Sequence, residues 1–194
     1  MPRVWVSLGS NQEREPSLRL AIHQLWQEYG DLCLSPVYEC AAVGFAGAPF
    51  LNLVVGFSTD QSVAEVRARL RAIEDAAGRV RGAEKFAPRT LDLDLLTYGA
   101  MVGVIDGYEL PRGEILRFAF VLKPLADLAG AEIHPLTGRT YDDLWRHFAG
   151  EPGALVPYHL DLAAVTQPVA SARQPTKPLA RSPSAHASKS NGGA

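Results

Sequence analysis

Two aspartates that alternate with leucines form the stretch of this chain best suited to chemistry. Residues 89–94 read Arg-Thr-Leu-Asp-Leu-Asp, so Asp92 and Asp94 stand two positions apart. A strand has a side-chain period of two, which places the leucines on one face and both carboxylates on the other. Neighbouring carboxylates repel each other unless a cation lies between them, and Mg²⁺ commonly binds one or two carboxylates together with substrate phosphates. The pattern predicts a magnesium site on a sheet, although an ordinary strand with two solvated aspartates would share it.

Length and charge limit the classes of protein that this chain can be. It has 194 residues, 47% of them hydrophobic, which suffices for one domain with a substantial core. Residues 168–194 contain four basic residues and no acid, so the overall charge of −2 leaves −6 on residues 1–167. A folded part this acidic is a poor general binder of polyanions, which argues against a nucleic-acid-binding module. A phosphate site would have to be a local basic cluster.

Cysteine usage and hydropathy point to a reducing compartment. Cys33 and Cys40 have no zinc or redox spacing, and two thiols are too few for a disulfide scaffold. The first residues lack the apolar stretch of a signal peptide, and no apolar run approaches the length of a membrane span. We expect a cytoplasmic protein that has free thiols and no membrane segment.

Hydrophobic periodicity predicts the elements that must position the two aspartates. Strands are expected at about 3–8, 32–40, 50–57 and from residue 91. One helix is expected from an N-cap at Ser17 to Gly30, and a second from the Ser62/Glu65 capping box to Gly78. An apolar helix or turn is predicted within 115–128, and a last helix near 141–148.

The order of these elements predicts the fold class. Strand, helix, strand, strand, helix, strand is the split βαβ, ferredoxin-like arrangement of an α+β protein. We expect an antiparallel sheet with helices on one face and a substrate cleft on the other. The folded domain should comprise residues 1–167. Residues 168–194 are rich in Pro, Ser, Ala, Lys and Gly and should form a disordered, low-complexity tail, with partner binding by this tail as the alternative.

Several motifs occur together in a characteristic order. They are Val6–Asn11, Pro49–Val54, Gly78–Arg81, Pro88–Asp94 and Phe120–Leu125. Over roughly residues 3–148 they resemble the 6-hydroxymethyl-7,8-dihydropterin pyrophosphokinase family of folate biosynthesis. The resemblance implies a ferredoxin-like fold and transfer of the β,γ-pyrophosphoryl group of ATP to the hydroxymethyl oxygen of the pterin, with release of AMP. It also implies the use of two Mg²⁺ ions.

The resemblance implies roles at the nucleotide end of the site. Asp92 and Asp94 match the metal ligands, while Arg79 and Arg89 match arginines that contact the nucleotide phosphates. A guanidinium offers paired donors to phosphate oxygens, although a lone arginine would more often be a surface residue. Three further residues are assigned to this end by the same match: Arg81, in a loop that closes over the phosphates, Thr90 and Glu74. A solvated helix position is the alternative for Glu74.

The resemblance also implies roles at the pterin end. Asn52 matches the residue that hydrogen-bonds the ring, and Phe50 and Phe120 match the aromatic residues that sandwich it. A flat ring requires π-faces on both sides, although core packing is the alternative for both phenylalanines. The remaining matches are loop residues, namely Cys40, Ala41, Ala42, Val43 and Phe86. The Gly9-Ser10-Asn11 turn is expected to be structural.

One stretch departs from the pattern of the family. Arg112 stands where a histidine is usual and Phe118 where a basic residue is usual, while Arg117 lies one position early. Arg112 is expected to replace the histidine as a donor to phosphate. The alternatives are a slower or substrate-altered paralogue and a non-catalytic nucleotide- or pterin-binding protein on the same fold. The expected partners are small molecules. Nothing in the sequence marks an interface, so a monomer is compatible with it, but the sequence does not determine the oligomeric state.

Overall fold

The computed structural model of this protein describes residues 1–42, 47–78, 90–150, 154–162 and 165. Its strands are β1 (Arg3–Ser10), β2 (Cys33–Leu34), β3 (Val37–Cys40), β4 (Phe50–Ser58), β5 (Asp92–Tyr98), β6 (Gly103–Ile105), β7 (Tyr108–Leu110) and β8 (Val156–Tyr158). Its helices are α1 (Arg14–Tyr29), α2 (Val63–Ala76), α3 (Glu114–Arg117), α4 (Ala119–Ala129) and α5 (Tyr141–Arg146). Among these residues, no helix is both long and apolar enough to cross a membrane. The predicted tail, 168–194, lies outside the described residues.

An antiparallel sheet organises the molecule. Its strands follow the order β5-β1-β4-β3-β8, with β2 also paired to β4, and β6 and β7 form a separate hairpin. Every pair along that order is antiparallel, and β4 lies between β1 and β3. A strand inserted between the two strands of a βαβ unit defines the split βαβ arrangement, so the predicted α+β, ferredoxin-like fold is confirmed.

Helices α1 and α2 cover one face of the sheet. Alternate residues of β1 (Val4, Val6, Leu8) and β4 (Leu51, Leu53, Val55) point to this face, as the period of a strand requires. They meet the apolar stripes of α1 (Leu18, Ala21, Ile22, Leu25) and α2 (Val63, Val66, Leu70, Ile73) in one buried cluster. The two helices of the predicted unit therefore lie on the expected side.

The opposite face carries a second helical layer, which corrects the prediction that helices lie on one face of the sheet. Trp5, Val54 and Leu96 form a buried cluster there with residues of α3, α4 and α5. Trp5 fits because Gly56 has no side chain: a Cβ at Gly56 would lie 2.0 Å from the indole ring. The layer covers the end of this face near the start of β1. The end near Gly9 is the one where the polar residues are found.

Element boundaries differ from prediction where local chemistry interrupts a pattern. Helix α1 begins at Arg14 rather than after Ser17, with Glu13 as an N-cap in the left-handed region (φ 49°). The strand predicted at 32–40 is divided into β2 and β3, because Pro36 has no N–H for the ladder. The apolar helix is divided at Phe118, whose backbone is extended. The capping box of α2 is present as predicted, with Ser62 and Glu65 bonded reciprocally.

Candidate active site

The register of the sheet aligns four residues, one on each of four neighbouring strands, in a row across the sheet. Tyr38 on β3 is opposite Asn52 on β4, Asn52 is opposite Gly9 on β1, and Gly9 is opposite Asp92 on β5. Directly opposed residues point to the same face of a sheet. Strands lie about 4.8 Å apart, so Asn52 and Asp92 stand about 10 Å from each other along this row. We call the end of this face that carries Cys40, Phe50, Asn52, Gly9, Asp92 and Asp94 the site face.

The acidic end of the site face matches its prediction. Leu93 and Leu95 are buried against α1 and α2, so Asp92 and Asp94 point the other way and are partly exposed. Within the described ranges, no three His, Cys, Asp or Glu side chains gather into a metal-binding group. Two carboxylates therefore form the available donor set. This set fits Mg²⁺, an oxygen-binding ion that takes few protein ligands and completes its shell with phosphate and water.

Glu74 is buried, which excludes one of its two interpretations and leaves its predicted place near the nucleotide untested. Its side chain is 5% exposed, so it is not a solvated helix residue. Its Oε1 accepts a hydrogen bond of 2.9 Å from the backbone N–H of Leu93. This N–H lies between Asp92 and Asp94 on β5, the edge strand. Glu74 is therefore placed to hold the strand that carries both aspartates.

The opposite end of the site face is shaped by Asn52 and its neighbours. The amide nitrogen of Asn52 donates to the sulfur of Cys40 at 3.1 Å, and both residues are buried. Burial raises the pKa of the Cys40 thiol, so it remains protonated. Phe50 pairs with Cys40 across β3 and β4, and Ala41 and Ala42 follow directly. These five predicted substrate-binding residues are brought together.

Gly9 separates the two ends. A Cβ at Gly9 would lie 3.2 Å from the Oδ1 of Asn52 and 3.7 Å from the ring of Phe50. The 3.2 Å contact is tighter than most real Cβ atoms show, whereas 3.7 Å is an ordinary van der Waals contact. The lack of a side chain at Gly9 therefore lets the Asn52 amide lie close to β1 without a clash.

Ser10 and Asn11 fix two loops at the rim of the site. The fully buried Ser10 donates its hydroxyl to the carbonyl of Thr90 at 2.5 Å. Asn11 donates its amide to the carbonyl of Ala48 at 3.3 Å. Thr90 thus lies at the rim, where the chain leads into β5. The structural role predicted for the Gly-Ser-Asn turn agrees with these bonds.

Phe120 stands near the start of α4 in a stack of side chains. Its ring is 5.0 Å from that of Phe118 at an interplanar angle of 18°, and the Arg117 guanidinium lies 4.8 Å from the Phe118 ring. Phe120 is half-buried against the apolar cluster beneath α3–α5. Core packing therefore accounts for part of its surface and leaves part accessible.

Arg112 is engaged with its own loop. Its Nη2 forms an ion pair of 2.7 Å with Glu114, and its guanidinium lies 4.9 Å from the Tyr108 ring. Tyr108 was not identified from the sequence, yet its hydroxyl bonds the carbonyl of Leu95 at 3.1 Å. Burial, and then the charge of Asp94, raise the pKa of Tyr108. Arg112 therefore lies beside the acidic end, and among the described residues it is paired with Glu114.

Five predicted site residues cannot be placed. Arg79, Arg81, Arg89, Phe86 and Val43 all lie outside the described residues. Their assignment to phosphate and pterin remains a prediction.

Comparison with known proteins gives one consistent family. The sequence model of the 7,8-dihydro-6-hydroxymethylpterin-pyrophosphokinase (HPPK) family matches residues 5–130. A 2-amino-4-hydroxy-6-hydroxymethyldihydropteridine pyrophosphokinase of Pseudomonas aeruginosa is 37% identical over 131 residues, which cover 66% of this chain and 80% of that protein. The folic acid synthesis protein fol1 of Pneumocystis carinii is 33% identical over 138 residues, which cover 70% of this chain and 18% of that protein.

Solved structures share the fold. The wild-type HPPK-DHPS of Plasmodium falciparum with STZ-DHP superposes with a TM-score of 0.61 at 12% identity, covering 76% of this chain and 43% of that chain. The chain therefore spans less than half of that protein and about a fifth of the Pneumocystis carinii one. At such low identity, the superposition supports the fold alone.

Proposed function

The chain belongs to the 7,8-dihydro-6-hydroxymethylpterin-pyrophosphokinase family, and we propose that it transfers pyrophosphate from ATP to 6-hydroxymethyl-7,8-dihydropterin in folate biosynthesis. In this reaction the hydroxymethyl oxygen of the pterin bonds to the β-phosphorus of ATP. The bond from that phosphorus to the α,β-bridging oxygen breaks, and AMP leaves. The observation that carries the proposal is the row Asn52–Gly9–Asp92, which brings the Asn52 amide and the Asp92 carboxylate to one face of the sheet.

The Asn52 end is proposed to bind the pterin. The side-chain amide offers both a donor and an acceptor, which suits the alternating donors and acceptors along the edge of a pterin ring. Phe50 and Phe120 are assigned to the two faces of the ring, which buries apolar surface and fixes its orientation. Gly9 puts no side chain of its own between the two ends, so that the hydroxymethyl group can be directed toward the acidic end.

The Asp92 end is proposed to hold the triphosphate. Asp92 and Asp94 would hold Mg²⁺, with two ions expected, and this metal supplies neutralisation of the charge on the phosphate oxygens. Arg79 and Arg89 are assigned to the same phosphates, and Arg81 to the loop above them. The two ends stand about 10 Å apart, the span of two strand spacings, so a pterin and a triphosphate bound at them can meet between them. Holding both reactants in place removes much of the entropic barrier to their reaction.

The test is release of AMP from ATP and Mg²⁺ in the presence and absence of 6-hydroxymethyl-7,8-dihydropterin. We expect AMP only when the pterin is present, in equal amount to a pterin diphosphate product. A parallel reaction without Mg²⁺ and with EDTA tests the metal requirement. Release of AMP at the same rate with and without the pterin would contradict the proposed reaction.

A second candidate is a protein that binds both substrates without turnover. The 2.7 Å ion pair between Arg112 and Glu114 favours it, because a guanidinium engaged with a carboxylate is less available to phosphate. Binding of ATP and pterin by calorimetry, with no AMP formed, would identify this candidate. The expectations of a monomer and of a cytoplasmic location stay predictions.

A further inference from the structure

A hydrogen-bond network of one buried and two partly exposed side chains lies beside the site face, and no step of the proposed reaction uses it. The hydroxyl of Tyr38 donates to Oδ2 of Asp127 at 2.5 Å, and Nζ of Lys123 donates to Oδ1 of the same carboxylate at 2.5 Å. Both oxygens of Asp127 are therefore engaged. Tyr38 is 8% exposed as a residue, whereas Lys123 and Asp127 lie closer to the surface. Hydrogen bonds to an ionised carboxylate are short and roughly twice as strong as neutral ones.

The network joins the two elements that form the proposed pterin site. Tyr38 is opposite Asn52 in the register of β3 and β4, so it is the next residue along the row. Lys123 and Asp127 follow Phe120 by three and seven residues on α4, spacings that place all three on one side of the helix. The phenol–carboxylate bond thus ties the helix of Phe120 to the strand of Cys40.

The first turn of α4 lacks one of the backbone hydrogen bonds that would otherwise hold it. Pro124 lies inside the helix and has no N–H to donate to the carbonyl of Phe120, four residues earlier. Apolar packing of Val121, Leu122 and Leu125 holds α4 against the sheet but is non-directional. A directional bond to β3 fixes the rotation of the helix, and with it the direction of the Phe120 side chain.

We propose that Tyr38, Asp127 and Lys123 are positioning residues that hold Phe120 against the bound pterin. This inference rests on the proposed function, since it assumes that Phe120 contacts the ring. Asp127 does not lie on the site face, and the inference predicts that it nevertheless affects pterin affinity.

The test is pterin affinity, measured by calorimetry with saturating Mg²⁺ and α,β-methylene-ATP, in which the reacting bond cannot break. Tyr38→Phe keeps the ring and removes the hydroxyl, and Asp127→Asn keeps the shape and removes the charge. We expect each to weaken pterin binding at least fivefold, with ATP-analogue affinity within twofold of wild type. Asp143→Asn is the matched control, because Asp143 on α5 forms a 2.6 Å ion pair with Arg139, and this pair does not involve β3. It should leave both affinities unchanged.

A double-mutant cycle decides whether the effect passes through Phe120. If Asp127 acts by positioning that ring, Asp127→Asn should have little further effect on pterin affinity in a Phe120→Ala background. Equal losses in both backgrounds, or unchanged affinity in Tyr38→Phe and Asp127→Asn, would overturn the inference. Tyr38→Phe decides alone if Asp127→Asn does not fold. Failure of the wild-type protein to bind pterin would instead overturn the proposed function, and the inference with it.

Discussion

Asp92 and Asp94 can bind one group of cations together because they stand two positions apart on one strand and so share a face. Both are partly exposed on the site face, while the leucines between and after them are buried. Substituting either Asp by Asn keeps the shape and removes the charge that would hold a cation. We expect AMP release to fall about 100-fold or more, because a charge-stabilising contact in a transition state is worth several kcal/mol.

The fold should survive either substitution. Neither carboxylate lies in the apolar core, and substitutions at such positions usually change stability by about 0.5 kcal/mol or less. Asp60→Asn is a suitable control, because Asp60 is an exposed carboxylate paired with the chain N-terminus. Full activity in either variant, at several Mg²⁺ concentrations, would contradict a metal-binding role for the residue substituted in it.

Gly9 gives a prediction about the other substrate. Gly9→Ala adds a Cβ 3.2 Å from the amide oxygen of Asn52, so the amide must shift by a few tenths of an ångström. We expect pterin affinity to fall about tenfold, equivalent to about 1.4 kcal/mol. The KM for ATP and the unfolding midpoint should change little. An equal rise in both KM values would indicate a general disturbance of β1 instead.

The face on which a residue lies was easier to predict from the sequence than the residue to which it bonds. The period of two placed Asp92, Asp94 and Leu93 on the correct faces, because that pattern is local. The bond from Asn52 to Cys40 depends on the register of β3 with β4, which no local pattern contains. The pairing of Arg112 with Glu114 also went unpredicted, although Glu114 lies only two residues away.

At the scale of elements, β5 is an edge strand that depends on α2. Its backbone N–H at Leu93 points away from β1 and is bonded by the buried Glu74. Glu74→Ala leaves this donor without its acceptor, and we expect a loss of about 1–3 kcal/mol in unfolding free energy. Glu74→Gln retains a carbonyl oxygen and should lose less. Urea unfolding followed by circular dichroism measures both.

The same pair of variants separates two roles for Glu74. If it acts by holding β5, activity should fall in step with stability, and Glu74→Gln should recover most of both. If it contacts the nucleotide, Glu74→Gln should raise the KM for ATP while its unfolding free energy stays near that of wild type.

Elements with local signals were predicted, and those set by long-range contacts were not. The Ser62–Glu65 capping box marks the start of α2 in the sequence and in the structure. Strand β8 and the β6–β7 hairpin were missed, because each strand has three residues and shows too little periodicity. The second helical layer was missed because which face a helix covers is a tertiary property.

At the scale of the whole molecule, the core extends beyond the part that resembles the family. The family match ends at residue 130, yet Leu160 and Val165 are buried in the cluster beneath α1 and α2. Two contacts hold this segment to α1: Arg19 donates to the carbonyl of Asp161, and a ring nitrogen of His23 lies 3.2 Å from the carbonyl of Val165. Leu160 and Val165 therefore pack in the core of the folded domain.

Two truncations test this boundary and the predicted tail together. A chain that ends at residue 167 keeps Leu160 and Val165 and loses only residues predicted to be disordered. Its unfolding free energy and its AMP release should therefore equal those of the full chain. A chain that ends at residue 159 exposes the surface that Leu160 and Val165 cover. Full burial of such a side chain contributes about 1.5–3 kcal/mol, so we expect a loss of about 3–5 kcal/mol in unfolding free energy. Equal stability of the two chains would place the end of the domain before Leu160. A defect in the longer one would assign residues 168–194 a structural role that their composition does not suggest.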